Sequence, residues 1–406
     1  MSIKLKGSTY GSVTLQAPAD TSPTGTDKTF TLPTQDGEAG QILKTDGSGA
    51  LSFTDNLTSG RNLVINGAMQ VAQASTSVTG QTTLNGYPVL DRYRIQLSSS
   101  GTFTVSQSSE APDGFANSLK FDCTGADSSP SYFLFLQTLE GQDLQHIKKG
   151  TSSAQKLTLS FHVRSSKTGT YQVNIRDLDN DRIVGASYTI SSANTWEYKT
   201  VTFPADTTGA FDDDNNASLN IEWWLAANST YTSGAVPTAW EAKVNTDRAA
   251  ALNVAIGAST ADDFHITGIQ LEVGENATPF EHKTYDEVHA ACDRYLQVFH
   301  FDGQYLHIAQ GICSSGTEIQ SEFQLRKMMR AIPSLTLSSV SHFRLNDYRG
   351  NDQDANGFQG LYGGHLGMMK FNLRKATSNF DTGRAGYINV STSAGGNCKL
   401  TFSAEL

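Results

Sequence analysis

Leu157-Thr-Leu159-Ser-Phe161-His-Val163 alternates apolar and polar residues from end to end, and the reading of this stretch decides the fold. Successive side chains of a strand point to opposite faces, so the pattern describes a sheet buried on one side only. The next run, Tyr171-Gln-Val173-Asn-Ile175-Arg176, repeats it. Working outward, strand-like runs recur at 92–96, 102–106, 118–123, 156–164, 183–190, 197–203, 219–225 and 264–273, with no helical periodicity between them. That density of strands favours a jelly-roll β-sandwich over any α/β arrangement.

The rest of the 406-residue chain is used in the same way. Only 17% of residues are charged and 36 are Gly, while Ser, Thr, Asn and Gln crowd nearly every segment, which is the usage of strands joined by turns. A net charge of −10 offers no basic stripe for phosphates, so nucleic acid is excluded as a partner. No apolar run reaches the roughly 20 residues of a membrane span, and Met1-Ser-Ile-Lys-Leu-Lys6 lacks the apolar stretch of a signal peptide, so a cytoplasmic origin without membrane insertion is expected. Cys123, Cys292, Cys313 and Cys398 stand singly and are expected to be buried thiols. The Asn-x-Ser/Thr triplets, Asn56 among them, follow from composition.

Four regions emerge. Residues 1–57 hold short apolar beats (Val13-Thr-Leu15, Phe30-Thr-Leu32, Ile42-Leu43, Leu51-Ser-Phe53) with a turn at Asp46-Gly-Ser-Gly49, too little for a core, and are expected to serve as an attachment segment. Residues 58–283 form the jelly roll. Thr284-Tyr-Asp-Glu287 has the form of a capping box, and Val288, Cys292 and Tyr295 recur at i, i+4 and i+7, so 284–297 is expected to be a linking helix. Tyr285, Val288, Cys292 and Tyr295 are its candidate junction or oligomer contacts. Leu335-Thr-Leu337, Lys370-Phe-Asn-Leu373, Tyr387-Ile-Asn-Val390 and Cys398 to Ala404 then make 298–406 a second β-sandwich. The expected fold is all-β, elongated and multi-domain.

The stretch Ile266-Thr-Gly-Ile-Gln-Leu-Glu-Val-Gly274, continued by Ala277-Thr-Pro-Phe-Glu-His282, Tyr285 and Cys292-Asp-Arg-Tyr295, resembles the sequence that closes a jelly-roll module in tailed-bacteriophage tail fibre and tail-tip proteins. Supporting words are Asn62-Leu-Val-Ile-Asn-Gly-Ala-Met69 with Asp91-Arg-Tyr93, Ser12 to Pro18 with Gly40 to Gly49, and Met329-Arg-Ala-Ile-Pro333. The resemblance implies a virion protein assembled in the host cytoplasm: a homotrimer attached to other tail or baseplate proteins through its N-terminal segment, with the C-terminal domain facing a host cell-surface polysaccharide or protein. It carries no catalytic motif. In a regular strand, Ile266, Gly268, Gln270 and Glu272 share one face and Thr267, Ile269, Leu271 and Val273 the other.

No nucleophile elbow, HExxH, phosphate loop or paired Cys/His set is present, so the protein is expected not to be an enzyme. His300 and His307 flank a stretch that a hairpin turning at Asp302-Gly303 explains without a metal. Asp177-Leu-Asp179-Asn-Asp181 spaces its oxygens like a Ca²⁺ loop, but Arg182 occupies the place of the required Gly, and a hairpin turn is the simpler account. Asp212, Asp213 and Asp214, with Asn215 and Asn216, form the stronger candidate for a Ca²⁺ site. Trp224, Tyr231 and Trp240 are candidates for sugar stacking, although Trp223 and Trp224 must point to opposite faces. Tyr348, Phe358 and Tyr362 border or occupy an irregular stretch, Gly357 to Gly364, expected to be a binding loop on the C-terminal sandwich. The expected function is structural and glycan-receptor binding in a tail fibre. A polysaccharide depolymerase using Asp212 to Asp214 with Glu222, and a purely architectural tail component, are the alternatives.

Overall fold

The computed structural model describes residues 2–6, 12–16, 29–34, 36–37, 41–45, 47–55, 60–395 and 397–406, with the side chains of 2–6, 12–16, 41, 54–55 and 361–365 outside the description. The fold is all-β and multi-domain, as the alternation predicts. The chain divides into two compact units, Met1–Gly60 and Arg61–Leu406. Among the described residues no helix is long and apolar enough to cross a membrane.

The first unit contains two hairpins. Strand β1 (Ser2–Lys6) pairs with β2 (Ser12–Gln16), and β3 (Gln41–Thr45) with β4 (Leu51–Asp55), placing Leu43 opposite Phe53. Asp46 of the expected turn lies outside the described residues, while Gly47 and Gly49 beside it both take positive φ. Phe30 and Leu32 flank a single bridge from Thr31 to Ala50 rather than a strand. Phe30, Leu32, Ile42, Leu43 and Phe53 are all exposed.

The second unit opens with the jelly roll. Its strands are β5 (Ser77–Gly86), β6 (Arg94–Ser108), β7 (Ser118–Gly125), β8 (Tyr132–Glu140), β9 (Leu157–Ser165), β10 (Gly169–Asp177), β11 (Arg182–Ile190), β12 (Glu197–Phe203), β13 (Ala217–Ala227), β14 (Glu241–Ala242) and β15 (Asp263–Val273), with a one-turn helix α1 (Ser229–Thr232) after β13. They connect in the order β12-β9-β15-β7-β6-β8-β13-β10-β11-β14, with β5 beside β6. Strand β6 turns this ladder into two facing sheets: residues 94–98 pair with β8, residues 102–108 with β7. Positive φ at Ser99 and at Gly101 makes the corner, where a Cβ on Gly101 would stand 2.8 Å from the Gly125 carbonyl oxygen. Two expected strands, 92–96 and 102–106, are therefore one bent strand. Strand β8 carries no alternation to read, because most of its length is buried on both faces.

Between the sheets lies an aromatic core. Phe135 stacks on Trp223 at 5.0 Å, Phe161 of β9 meets Tyr188 of β11 edge-on at 5.1 Å, and Tyr171 of β10 reaches Phe264 of β15 at 5.8 Å. Phe135 and Trp223 are neighbours across β8 and β13 of one sheet, and the other two contacts cross from that sheet to the facing one, as the alternation from Leu157 to Val163 requires. The closing strand β15 departs from the regular pattern. A register shift lies between Thr267 and Gln270, and Gly268 takes φ 64°, so Ile266 and Ile269 both enter the core. A bulge of this kind inserts one residue and reverses the side-chain sense beyond it.

Helix α2 (Tyr285–Cys292) begins at the expected capping box, the Thr284 side chain and Glu287 satisfying each other's backbone N–H groups. It is shorter than 284–297, and Tyr295 lies beyond its end. The second sandwich comprises β16 (Leu296–Phe301), β17 (His307–Cys313), β18 (Glu318–Gln324), β19 (Ser334–Leu337), β20 (Phe343–Asp347), β21 (Asp352–Asp354), β22 (Gly357–His365), β23 (Met368–Arg374), β24 (Ala385–Val390) and β25 (Cys398–Ser403). A sheet in the order β16-β25-β19 packs against one in the order β21-β20-β24-β17-β18-β23-β22 over a core that includes Phe323, Phe371 and Phe402. His300 and His307 do not share a hairpin. His300 pairs with Lys399 in one sheet and His307 with Asn389 in the other, so residues 302–306 cross between sheets. Gly357 to His365 is a doubly bulged edge strand rather than a loop.

Candidate functional site

Trp224, Tyr231 and Trp240 do not form an open platform. Trp224 does point away from Trp223, but it is 1% exposed, packed with Leu134, Leu136 and Ala249 beneath the 228–252 segment. The Arg248 guanidinium lies 4.9 Å from the Trp224 ring and grips Glu222 with two hydrogen bonds, 2.9 and 3.2 Å long. Tyr231 is half-buried against Trp224 at 5.0 Å. Trp240, also half-buried, donates its indole N–H to the Pro204 carbonyl at 2.8 Å and packs on the main core. The outer face expected to be free for a ligand is filled by the chain's own loop.

The acidic loops behave as folded turns. Asp177 ends β10 and its carboxylate accepts the N–H groups of Asp179 and Asn180, closing the hairpin to β11. Asp212, Asp213 and Asp214 do not converge on a cation position. Asp214 spends its carboxylate on Asn216, and the Asp212 backbone N–H goes to Asp179. Among the described residues no group of three or more His, Cys, Asp or Glu side chains is placed to hold a metal.

Tyr348 has a different setting. It follows β20 on a turn that Asp347 organises: the carboxylate accepts Arg349 N–H at 3.0 Å, Asn351 N–H at 3.1 Å and the Asn351 amide at 3.0 Å. Burial pushes the Asp347 carboxyl up, but these hydrogen bonds outweigh it and hold it below its ordinary range. The turn presents Tyr348 68% exposed, and its ring lies 5.2 Å from Tyr387, which in turn lies 5.1 Å from His307. Tyr305, 56% exposed, stands at the next edge, 6.0 Å from the Arg344 guanidinium. It is fixed there because its N–H bonds Val390 O at 3.0 Å and the next carbonyl, Leu306 O, accepts Val390 N–H at 2.9 Å.

The alternation of β20 and β24 sets the rest of this platform. Phe343, Leu345, Ile388 and Val390 go to the core, so Arg344, Asn346, Tyr387 and Asn389 face outward. Registers place Asn346 beside Tyr387, and Asn389 between Arg344 and His307. The side-chain oxygens of Asn346 and Asn389 have no hydrogen-bond partner among the described residues. Arg344 is held by Asp352 at 2.7 Å and Asp354 at 3.2 Å, so its charge is compensated within the chain. Ring faces beside unsatisfied amides suit a ligand with an apolar face and hydroxyl groups.

Phe358 turns inward and packs on the second core, and the side chain of Tyr362 lies outside the described residues. Tyr348 is thus the expected residue placed on this platform. Tyr387 and Asn389 were legible as the polar-side positions of Tyr387-Ile-Asn-Val390. Tyr305 and His307 carried no such signal, because the crossing between sheets was not foreseen.

Val288 and Cys292 pack with Val71 and Ile65, joining helix α2 to the jelly roll, while Tyr285 is exposed beside His289. Tyr295 lies under Arg92, whose guanidinium also pairs with Glu405 near the C-terminus. Gln73 adds a second tie, donating to Leu296 O at 2.8 Å and accepting from Arg326 at 2.6 Å. The two sandwiches are therefore fastened to each other within one chain.

Fold and surface together define a two-sandwich β protein with a ring-lined face on its second sandwich. No family model matches the chain, and no curated relative matches it. Among solved structures it is similar to the enzymatically active domain of tailspike protein 4 of bacteriophage CBA120 (15% identity, TM-score 0.29, covering 52% of this chain and 21% of that one). It is also similar to a family 11 carbohydrate-binding module from Clostridium thermocellum in complex with a β-1,3-1,4-mixed-linked tetrasaccharide (13%, 0.26, 50% and 99%). A third likeness is to the CBM22-1 xylan-binding domain from Paenibacillus barcinonensis (10%, 0.24, 54% and 100%). The chain spans about a fifth of the tailspike structure's length, and likenesses at these TM-scores carry no inference about what it binds.

Proposed function

We propose that this chain is a non-catalytic tail fibre protein of a bacteriophage virion, and that it binds a host-surface glycan through Tyr305, His307, Tyr348 and Tyr387. The observation that carries the binding is the exposed ring series beside the unsatisfied amides of Asn346 and Asn389, all fixed by strands or clipped turns. Pre-positioned aromatic faces lose little conformational entropy on binding. The fibre setting rests on the Ile266 to Tyr295 stretch and on the exposed apolar residues of the first unit, which suit docking to another tail protein. Binding without cleavage is supported by Glu222, which lies buried under Arg248 and away from solvent. Assembly as a homotrimer follows from the same resemblance.

The test is adsorption. Purified chain should compete with intact phage for host cells, and Tyr348→Ala with Tyr387→Ala should abolish competition at an unchanged melting temperature. Undiminished competition by that variant removes this surface from the function; release of reducing ends from host polysaccharide overturns the non-catalytic reading.

A further inference from the structure

The jelly roll carries a second ring series, on the outer face of the sheet formed by β7, β15, β9 and β12. Tyr198 lies on the edge strand β12, and Trp196 stands just before that strand begins. Tyr198 is 51% exposed, and its ring lies 4.9 Å from His162 on β9. Phe115 continues the series at 5.3 Å from His162, and Trp196 stands edge-on to His265 at 5.9 Å. Register places Tyr198, His162 and Thr267 in one row across three strands.

Beneath the rings the polar atoms are incompletely paired. Thr267 Oγ1, His162 Nδ1 and His265 Nε2 are buried without a hydrogen-bond partner among the described residues, and Thr267 and His265 are fully buried. The tautomer of His265 follows from its neighbour. Ser118 donates its hydroxyl proton to Glu110 O at 2.6 Å, so at the 3.2 Å contact His265 Nδ1–H donates to Ser118, and Nε2, 3.8 Å from the Glu110 carboxylate, is left as an acceptor without a donor. Burial, reinforced by Arg164 and Lys120, takes the His265 pKa down to about 3, and burial also lowers that of His162, so both imidazoles are neutral near pH 7. A buried polar group without a partner is costly, and such groups persist where something other than the chain supplies the partner.

The charges on this face cancel locally. Arg164 pairs with Glu110 at 3.2 Å and Asp263 at 3.5 Å, and Lys120 with Asp122 at 3.1 Å. Among the described residues of this face, Arg164 and Lys120 thus hold no uncompensated charge for an anionic ligand. Gly268 keeps the arrangement open, since a Cβ there would stand 2.6 Å from Phe115 Cζ and 2.9 Å from His162 Nδ1.

We propose that this face is a second glycan site, taking a neutral saccharide whose ring stacks on Tyr198 and whose hydroxyls complete the hydrogen bonding of His162 and Thr267. It stands on its own residues and does not require the C-terminal platform. The full chain is titrated with neutral gluco-, galacto- and manno-hexaoses, and with polysialic acid as the anionic control, following tryptophan fluorescence. At least one neutral hexaose changes the emission of the wild type and of Tyr348→Ala, with affinity at least tenfold weaker in Tyr198→Ala and with the signal lost in Trp196→Phe. Melting temperature reports the fold of each variant. No response to any neutral hexaose overturns the proposal, as does binding that survives Tyr198→Ala or tighter binding of polysialic acid. Loss of binding in Tyr348→Ala alone would instead assign the saccharide to the C-terminal platform and likewise overturn the second site.

Discussion

The guanidinium of Arg92 lies 3.4 Å from the centre of the Tyr295 ring, and this contact ties the first sandwich to the start of the second. Arg92 is fully buried, takes a positive φ, pairs with Glu405 and donates to Thr138 O at 2.5 Å. Removing it leaves Glu405 buried and unpaired. Arg92→Ala is expected to cost about 3–5 kcal/mol in denaturant unfolding, and Glu405→Gln less, because the amide oxygen still accepts from the guanidinium, whose charge also rests on Thr138 O and the Tyr295 ring. A loss under about 1 kcal/mol in Arg92→Ala would show that the junction is held elsewhere.

Asp91, next to it, gives stability a specific pH dependence. Burial raises its carboxyl from an ordinary 3.8 to about 7 in spite of two hydrogen bonds from Gln73. Between those values the unfolded chain is ionised while the folded one keeps its proton. Stability therefore falls as pH rises from about 4 to about 7, by up to roughly 4 kcal/mol from this group. Asp91→Asn removes that slope. Equal slopes for the two proteins in urea titrations across this range would refute the assignment.

Gly268 sets the bulge of β15 at φ 64°, and a methyl group there would collide with Phe115 and His162. Gly268→Ala should cost about 1–3 kcal/mol, from the left-handed backbone and the displaced rings together. Gly114, also at positive φ but with no atom within 4 Å of a built Cβ, is the control, and Gly114→Ala should cost about 1 kcal/mol from backbone strain alone.

The cysteines should be inert in the fold. All four are free and buried, and burial lifts Cys398 to about 12 and Cys292 well above the usual thiol range. A thiol reagent at about pH 8 should leave the native protein unmodified and label every cysteine in guanidinium, because the thiolate is the reactive form. Rapid labelling of Cys398 in the native protein would contradict its place in the second core.

The periodicity of the chain determined the sandwiches, the capping box determined the start of α2, and both did so for local reasons: side-chain direction in a strand and backbone satisfaction at a helix end depend on near neighbours alone. Strand β8 escaped notice because a strand buried on both faces has no alternation to display. Regular alternation puts Ile266 and Ile269 on opposite faces, whereas both enter the core, because a single bulge between them reverses the side-chain sense. Tertiary structure alone decided that Trp224 lies under Arg248, that His307 joins Tyr387 and Tyr348 rather than His300, and that Arg92 reaches Glu405 across 313 positions of sequence. Each of these depends on which distant segment covers or crosses a sheet face, a choice made by the packing of the whole unit and written in no local pattern.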